Sequence, residues 1–435
     1  MSLYNELDAR GILKQVTSPK LKEAMDAGAI TLYAGFDPTS DSLHVGSLLP
    51  LLTLKRFQQA GHKVIAVVGG ATGMIGDPSF KAQERSLLTE EHLAKNLRGI
   101  TGVAEKFLDL KGAAAARVMN NYDWIGPFSF VNFLRDIGKH FTINHMMAKE
   151  SVRARLEDRE HGISYTEFSY MLLQAYDFHH LHEKYGCRLQ IGGSDQWGNI
   201  TAGTELIRRM KAHAQGREAT DQDEEHAFGL THPLVMKADG TKFGKTESGT
   251  VWLSREKTSP YQFYQFWVQT QDVDIGTYLR YFSFKSLNEI AALEDTVKTS
   301  PEKRAAQQAL AREMTELVHG KEALAAAEEA TQILFGADPV TASAAAFQEI
   351  RGSIPHWVMP TAKLQSSMPL IEVLAESGLA TSKGQARKDI EGGGICVNNQ
   401  KVTDVALTLN VQHRLAGEYI LLRKGKKNYL LVWVK

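Results

Sequence analysis

The stretch TLYAGFDPTSDSLHVGSLLPLLTLKRFQQAGHKVIAVVGGATG (31–73) decides the fold class. TLYAGFD (31–37) reads as a buried strand, and Pro38 follows it. A helix is predicted from about Leu43 to Ala60, closed by Gly61. KVIAVVGGATG (63–73) reads as a second strand running into a Gly-rich loop. Strand, helix, strand at that spacing is a βαβ unit, and such units build parallel sheets. Ligands bind at the carboxyl edge of these sheets. The segments that leave the strands are therefore where chemistry is sought.

Outward from this unit, residues 86–180 show mostly helical periodicity. CRLQIGG (187–193) is a further strand, followed by a helix from about Trp197. KAHAQGREATDQDEEH (211–226) is polar and reads as an exposed loop. The expected organisation has a parallel-sheet α/β domain over 1–250, with a helical insertion at about 86–187. An α-helical domain follows over 251–350, then a linker over 351–369, which holds three prolines, then a small α+β domain over 370–435. The tail shows short helices (PLIEVLAESG, SKGQARKDIEGG) ahead of short alternating strands (ICVNN, YILLRKGKK, NYLLVWVK).

Composition excludes several classes. The 435 residues are 43% hydrophobic and 23% charged, which rules out a disordered chain. Two cysteines exclude a disulfide scaffold and fit a reducing compartment, so a cytoplasmic location is expected. There is no run of 18 apolar residues, and the start lacks a signal-peptide apolar core, so no membrane association is expected. Fifty cations balance fifty acids, yet the balance is uneven. Residues 381–435 carry ten Lys and Arg against four Asp and Glu, a net of +6, which leaves −6 for residues 1–380. A basic tail on an acidic body is the polarity of a module that grips nucleic acid.

Five segments could carry chemistry. DPTSDSLHVGSLLPL (37–51) leaves a strand and enters a helix that Ser42 or Asp41 could cap. A helix N-terminus suits a phosphate. His44 and Ser47 share one helix face, and Gly46 would let a flat ligand approach the backbone. The alternative is a capped surface helix with an incidental histidine. GGATGMIGDPSFKAQER (69–85) is a Gly-rich loop that fits neither the dinucleotide nor the Walker pattern. Its Lys81 and Arg85 could reach phosphates, or the segment is simply a tight turn with exposed cations. In FSYMLLQAYDF (168–178), Tyr170, Gln174 and Asp177 fall on one helical stripe among apolar neighbours. Buried polar groups need partners, at about 1–3 kcal/mol each if left without, so a polar ligand or an internal network meets them, unless the stripe is a helix edge at the surface. HHLHE (179–183) lacks the spacing of a helical zinc site, and no protein-held metal is expected. GGSDQWGN (192–199) puts Asp195 and Gln196 at the same sheet edge, as ribose ligands or as a helix cap. ADGTKFGKTESG (238–249) holds Lys242 and Lys245 in a loop that Gly240, Gly244 and Gly249 make mobile. It is either a solvated loop or a pair of cations that follow developing charge.

The order HVGS (44–47), GDPS (76–79), QIGGSDQWGN (190–199) and KFGKT (242–246), together with YAGFDPT and FSYMLLQAYD, resembles the class I aminoacyl-tRNA synthetases. Within that class it is similar to the bacterial tyrosyl-tRNA synthetase family over nearly the whole chain. KFGKT stands at that class's KMSKS loop and HVGS at its HIGH motif, with Ser47 in place of the usual last histidine. The resemblance implies a Rossmann-like catalytic domain and an S4-like RNA-binding tail. It also implies activation of tyrosine by ATP, with Mg²⁺ on the nucleotide, transfer to tRNA(Tyr), and a homodimer with FVNFLRDIGKHF (130–141) as an apolar contact.

Carried over by position, the resemblance implies that Tyr33 and Asp177 bind the phenol of tyrosine. Tyr170, Gln174 and Asp77 would hold the ammonium, and Gln196 would lie near the carboxylate. Gly35, Asp37, Thr39, His44, Gly46, Ser47 and Asp195 would line the ATP side. Lys81, Arg85, Lys242, Lys245 and Thr246 would meet the pyrophosphate. Ser382, Lys383, Gln385, Arg387 and Lys388, on a predicted helix, would face the tRNA backbone, although alone they read as a solvated helix face. Three competing readings remain: a tryptophan-charging relative, another nucleotidyltransferase with an HIGH-like helix, and an RNA-binding relative that has lost catalysis.

Overall fold

The computed structural model describes all residues except 78–88, 150, 151, 154–161, 221, 222, 224, 225, 242, 247 and 248. The chain forms two compact units, 1–254 with 271–299, and 255–270 with 300–435.

The first unit is organised by a six-stranded sheet. Its strands are β1 (Gln15–Val16), β2 (Thr31–Phe36), β3 (Lys63–Val68), β4 (Arg117–Asn120), β5 (Cys187–Gly193) and β6 (Phe228–His232). The order is β1-β6-β5-β2-β3-β4, parallel throughout except for the antiparallel edge strand β1. β2 and β3 pair in register from Thr31↔Lys63 to Phe36↔Val68, as expected of a βαβ unit. Their near-continuous apolar runs are those of strands covered on both faces. β3 lies on one side of β2 and β5 on the other, so the winding reverses between β2 and β5. A crevice opens at such a switch point, outside the carboxyl ends of the strands.

The helix after β2 starts later than its sequence suggests. A 3₁₀ turn (Val45–Ser47) precedes the α-helix Leu48–Gln59. Helix Tyr165–Tyr185 packs closely on helix Trp197–Ala214 and ends on Gly186, whose left-handed backbone (φ 62°) accounts for the glycine there. The expected helical insertion contains β4, a four-residue strand too short and mixed to show a period of two. The expected exposed loop begins later than predicted, because the helix runs to Ala214.

In the second unit, helices Pro260–Val268, Ala305–His319, Lys321–Leu334 and Ala344–Arg351 belong with a five-stranded sheet, four of whose strands come from the tail. Ile333, Phe347 and Ile350 share one core with Tyr419, Leu421 and Leu431. Helices Asp272–Phe282 and Leu287–Thr299, expected in the helical domain, lie in the first unit instead.

The expected linker is folded. His356–Met359 is a strand running parallel to Asn428–Val434. Thr361–Gln365 is a helix, and Met368–Pro369 pairs with Thr408–Leu409. The prolines misled because they punctuate elements. Pro360 and Pro369 stand at helix N-caps, where the absent N–H costs little. The tail helices form at Leu370–Glu376 and Lys383–Glu391, and the tail strands at Ile395–Val397, Gln400–Val402, Tyr419–Lys424 and Asn428–Val434. No helix among the described residues is long and apolar enough to cross a membrane.

Candidate active site

A cleft of about 320 Å³ opens at the switch point. Its lining includes Tyr33, Gly35, Asp37, Thr39, His44, Gly46, Ser47, Asp77, Tyr170, Gln174, Asp177, Asp195 and Gln196. Segments singled out across 160 residues of sequence thus converge on one crevice. Lys81, Arg85 and Lys242 lie outside the described residues. Of Thr246 only the backbone is described, in the short strand Lys245–Thr246.

The deepest part is built around Asp177, which is 4% exposed. Asn121 Nδ2 donates to Asp177 Oδ2 at 3.0 Å, and Trp124 Nε1 donates to Oδ1 at 2.7 Å. Burial pushes the Asp177 carboxyl up to about 7 despite those two donors. Tyr33, from β2, is equally buried, and its hydroxyl has no hydrogen-bond partner among the described residues. Its phenol titrates well above the ordinary range, chiefly through burial. A carboxylate with acceptor capacity left and a buried, unmatched hydroxyl share this pocket. Such a pocket suits a ligand that carries a hydroxyl.

Further out, the stripe on helix Tyr165–Tyr185 is fully engaged. Tyr170 Oη donates to Asp37 Oδ2 (3.1 Å), and Thr72 Oγ1 donates to Asp37 Oδ1 (3.2 Å). Gln174 Nε2 reaches Gln196 Oε1 at 3.4 Å. Gln196 Nε2 in turn donates to Asp77 Oδ2 (2.7 Å) and, more weakly, to Asp195 Oδ2 (3.3 Å). The stripe therefore joins an internal network and also faces the cleft. Burial and the nearby Asp77 raise the Asp195 pKa. At two close approaches a side chain in place of glycine would displace a cleft residue. A Cβ on Gly69 would collide with Asp37 and Thr72, and one on Gly193 with Asp195.

At the mouth, neither Ser42 nor Asp41 caps the first turn. His44 does, its Nδ1 accepting from Gly46 N at 3.0 Å. Ser42 Oγ instead donates to the Leu43 carbonyl and accepts from Ser254 N. The His44 ring fills the space a Cβ on Gly46 would need, at 2.7 Å from its nearest atom. The missing side chain of Gly46 thus makes room for the imidazole of its neighbour, and Gly46 also lines the cleft. Because Nδ1 accepts, a neutral His44 carries its proton on Nε2. Burial and, secondarily, the charge of Lys245 lower its pKa and favour that neutral donor.

The lysine loop is tethered more firmly than its glycines suggest. Phe243 is buried and packs on Tyr278 and Phe282, with ring centroids at 4.9 and 5.3 Å. The following segment pairs with the His44 turn, through Val45 N to Val251 O (3.0 Å) and Leu253 N to Leu43 O (2.9 Å). Lys245 itself is exposed.

Sequence reasoning missed Asn121 and Trp124, which follow the unrecognised strand β4. It also missed Gln190 and His232, buried polar residues that line the cleft. HHLHE has structural work: His180 stacks on Trp124 at 4.7 Å, and His182 Nδ1 bonds the Cys187 carbonyl at 2.8 Å.

On the tail helix, Ser382 Oγ accepts from Gln385 N as the N-cap, and Lys383 pairs with Glu372 at 2.6 Å. Gln385 Nε2 donates to Asp389 at 2.9 Å. Arg387 and Lys388 remain exposed.

A parallel sheet with a ligand cleft at its switch point, flanked by a histidine-capped turn and a lysine loop, is the arrangement of a class I aminoacyl-tRNA synthetase. The family model for class I tRNA synthetases (W and Y) matches residues 25–336, and the model for the SYY-like C-terminal domain of tyrosine–tRNA ligase matches 354–432. The chain is 52% identical to a tyrosine–tRNA ligase of Geobacillus stearothermophilus, over 99% of each chain. It is 48% identical to tyrosine–tRNA ligase 1 of Bacillus subtilis (strain 168), over 100% of each. A solved structure of a C-terminally truncated mitochondrial tyrosyl-tRNA synthetase from Aspergillus nidulans is similar too. It has a TM-score of 0.69 and 30% identity, covering 77% of this chain and 94% of that one. The chain belongs to the tyrosine–tRNA ligase family.

Proposed function

We propose that this cleft activates L-tyrosine with ATP, releasing pyrophosphate, and passes the tyrosyl group to the 3′-terminal ribose of tRNA(Tyr). The observation that carries the reading is the buried pocket of Asp177 and Tyr33. Asn121 and Trp124 fix the carboxylate, and the Tyr33 hydroxyl waits for a partner. A phenol hydroxyl would donate to Asp177 and accept from Tyr33. The pocket favours tyrosine over tryptophan, because an indole N–H can donate but cannot accept.

In this reading Tyr170, Gln174 and Asp77 receive the ammonium, and Gln196 lies by the carboxylate. Asp195 holds the ribose, while Gly35, Asp37, Thr39, Gly46 and Ser47 line the nucleotide side. The tyrosine carboxylate is anionic at neutral pH, so it attacks the α-phosphorus without a general base. Catalysis is then positioning plus charge stabilisation. His44 donates from Nε2 and Lys245 supplies positive charge as pyrophosphate leaves, with Lys81, Arg85, Lys242 and Thr246 in the same role. Mg²⁺ carried by the nucleotide would offset the negative charge of its phosphates.

The tail binds the tRNA backbone. Arg387 and Lys388 are exposed cations on its second helix, whereas Ser382, Lys383 and Gln385 first build the helix that presents them. We further infer a homodimer in the cytoplasm. Phe130 (67% exposed), Val131 and Leu134 on helix Phe130–Asp136 are apolar side chains left in water, which support a contact there. Pyrophosphate exchange with ATP, run with each amino acid in turn, tests the reading. Exchange with tyrosine alone is expected, and exchange driven by tryptophan, or by none, would refute it.

A further inference from the structure

His232 ends β6 and lines the cleft, yet no role above falls to it. It is 5% exposed and pairs in register with Gly193, two residues before Asp195. Its Nδ1 lies 3.1 Å from the Pro233 carbonyl oxygen. A carbonyl oxygen can only accept, so this bond puts the ring's proton on Nδ1. Burial keeps the ring neutral, with its pKa pushed down to about 4. Nε2 is then a bare acceptor, buried and without a hydrogen-bond partner among the described residues. An unmatched buried acceptor is unfavourable, and a ligand N–H would relieve it.

Two residues further on, Leu234 lines the same cleft with 49% of its surface exposed. Gly193 lies against it, since a Cβ there would sit 3.2 Å from Leu234 Cδ2. An exposed apolar side chain beside bare glycine backbone makes a shelf for the face of a flat ring. The acceptor stands on the strand that leads to this shelf.

The geometry points to His232 as a determinant of nucleobase choice, its Nε2 accepting from the exocyclic amine of adenine. The inference rests on the ATP reading given above. Adenine offers an N–H donor at its six-position, where guanine and inosine carry a carbonyl oxygen. That oxygen would face a bare imidazole nitrogen, two acceptors with no proton between them.

The test is tyrosine-dependent pyrophosphate exchange by the full-length protein, with ATP and with inosine triphosphate. In the unmodified protein, kcat/KM for ATP should exceed that for inosine triphosphate by about 10- to 100-fold. In His232→Leu the ratio should fall to within about threefold, through a higher KM for ATP, with the KM for tyrosine unchanged. His232→Gln, whose amide can donate or accept, should likewise admit inosine triphosphate, and it serves if the leucine variant fails to fold. Equal use of the two nucleotides by the unmodified protein would overturn the inference alone, because tyrosine activation would still stand. An unchanged ratio in a folded variant would do the same. Absence of exchange with every nucleotide would overturn both the inference and the reading beneath it.

Discussion

The phenol end of the cleft and the tail helix Lys383–Glu391 use charge in opposite ways. Asp177 is buried, each of its oxygens takes one protein donor, and burial raises its pKa to about 7. Arg387 and Lys388 stand exposed to water. Burial concentrates recognition in one group, because every donor aimed at it loses its partner if it goes. Exposure spreads recognition over many groups, each screened by salt and each replaceable. The difference implies a steep, local dependence on the cleft and a shallow, additive dependence on the tail.

The largest effect should come from Asp177→Ala. It strands Trp124 Nε1 and the substrate hydroxyl and leaves Asn121 Nδ2 with Thr72 Oγ1 alone, so kcat/KM for tyrosine in pyrophosphate exchange should fall about 10³-fold. ATP affinity should change little. A loss below tenfold would remove the distinction between the two regions. Next comes the mouth of the cleft. His44→Ala should slow exchange about 10²-fold at saturating substrates, with a smaller change in KM. Steady-state kinetics would check this split.

The pH dependence sharpens the comparison. An ordinary aspartate titrates near 3.8, and Asp177 near 7. Between those values the ligand-free fold holds a proton that the unfolded chain has released, so Asp177 lowers stability as pH rises from about 4 to 7. The ionised form, which accepts from a phenol, accumulates above that. The KM for tyrosine should therefore fall as pH rises from about 6 to 8. Thermal unfolding of the ligand-free protein should lose this pH dependence in Asp177→Asn. The smallest effects belong to the tail. Arg387→Ala and Lys388→Ala should each raise the KM for tRNA a few-fold and reduce the salt slope of binding by about one. Exchange, which needs no tRNA, should be untouched.

The βαβ unit and the meeting of three segments, 37–51, 69–85 and 192–199, at one sheet edge were legible in the sequence. Long apolar strands, and glycines or acids just after them, announce themselves locally. Asn121 and Trp124 were not legible. They follow the short strand β4, and their role depends on a carboxylate 53 or more residues away. The helix cap was misassigned because His44, a less usual cap than Ser42 or Asp41, fits the space left by Gly46. The region 351–369 read as a linker because its prolines mark element starts as readily as unstructured chain. Its strand His356–Met359 becomes apparent only beside Asn428–Val434, some seventy residues later. The glycines around Lys245 suggested mobility, but Phe243 anchors that loop through packing no local pattern reveals.

The central claim is that a buried carboxylate reads a phenol. The most direct test compares tyrosine with phenylalanine in ATP–pyrophosphate exchange, for the unmodified protein and for Asp177→Asn. The account predicts strong exchange with tyrosine, almost none with phenylalanine, and a marked loss of that preference in the variant. Comparable exchange with phenylalanine in the unmodified protein, or an undiminished preference in Asp177→Asn, would contradict it.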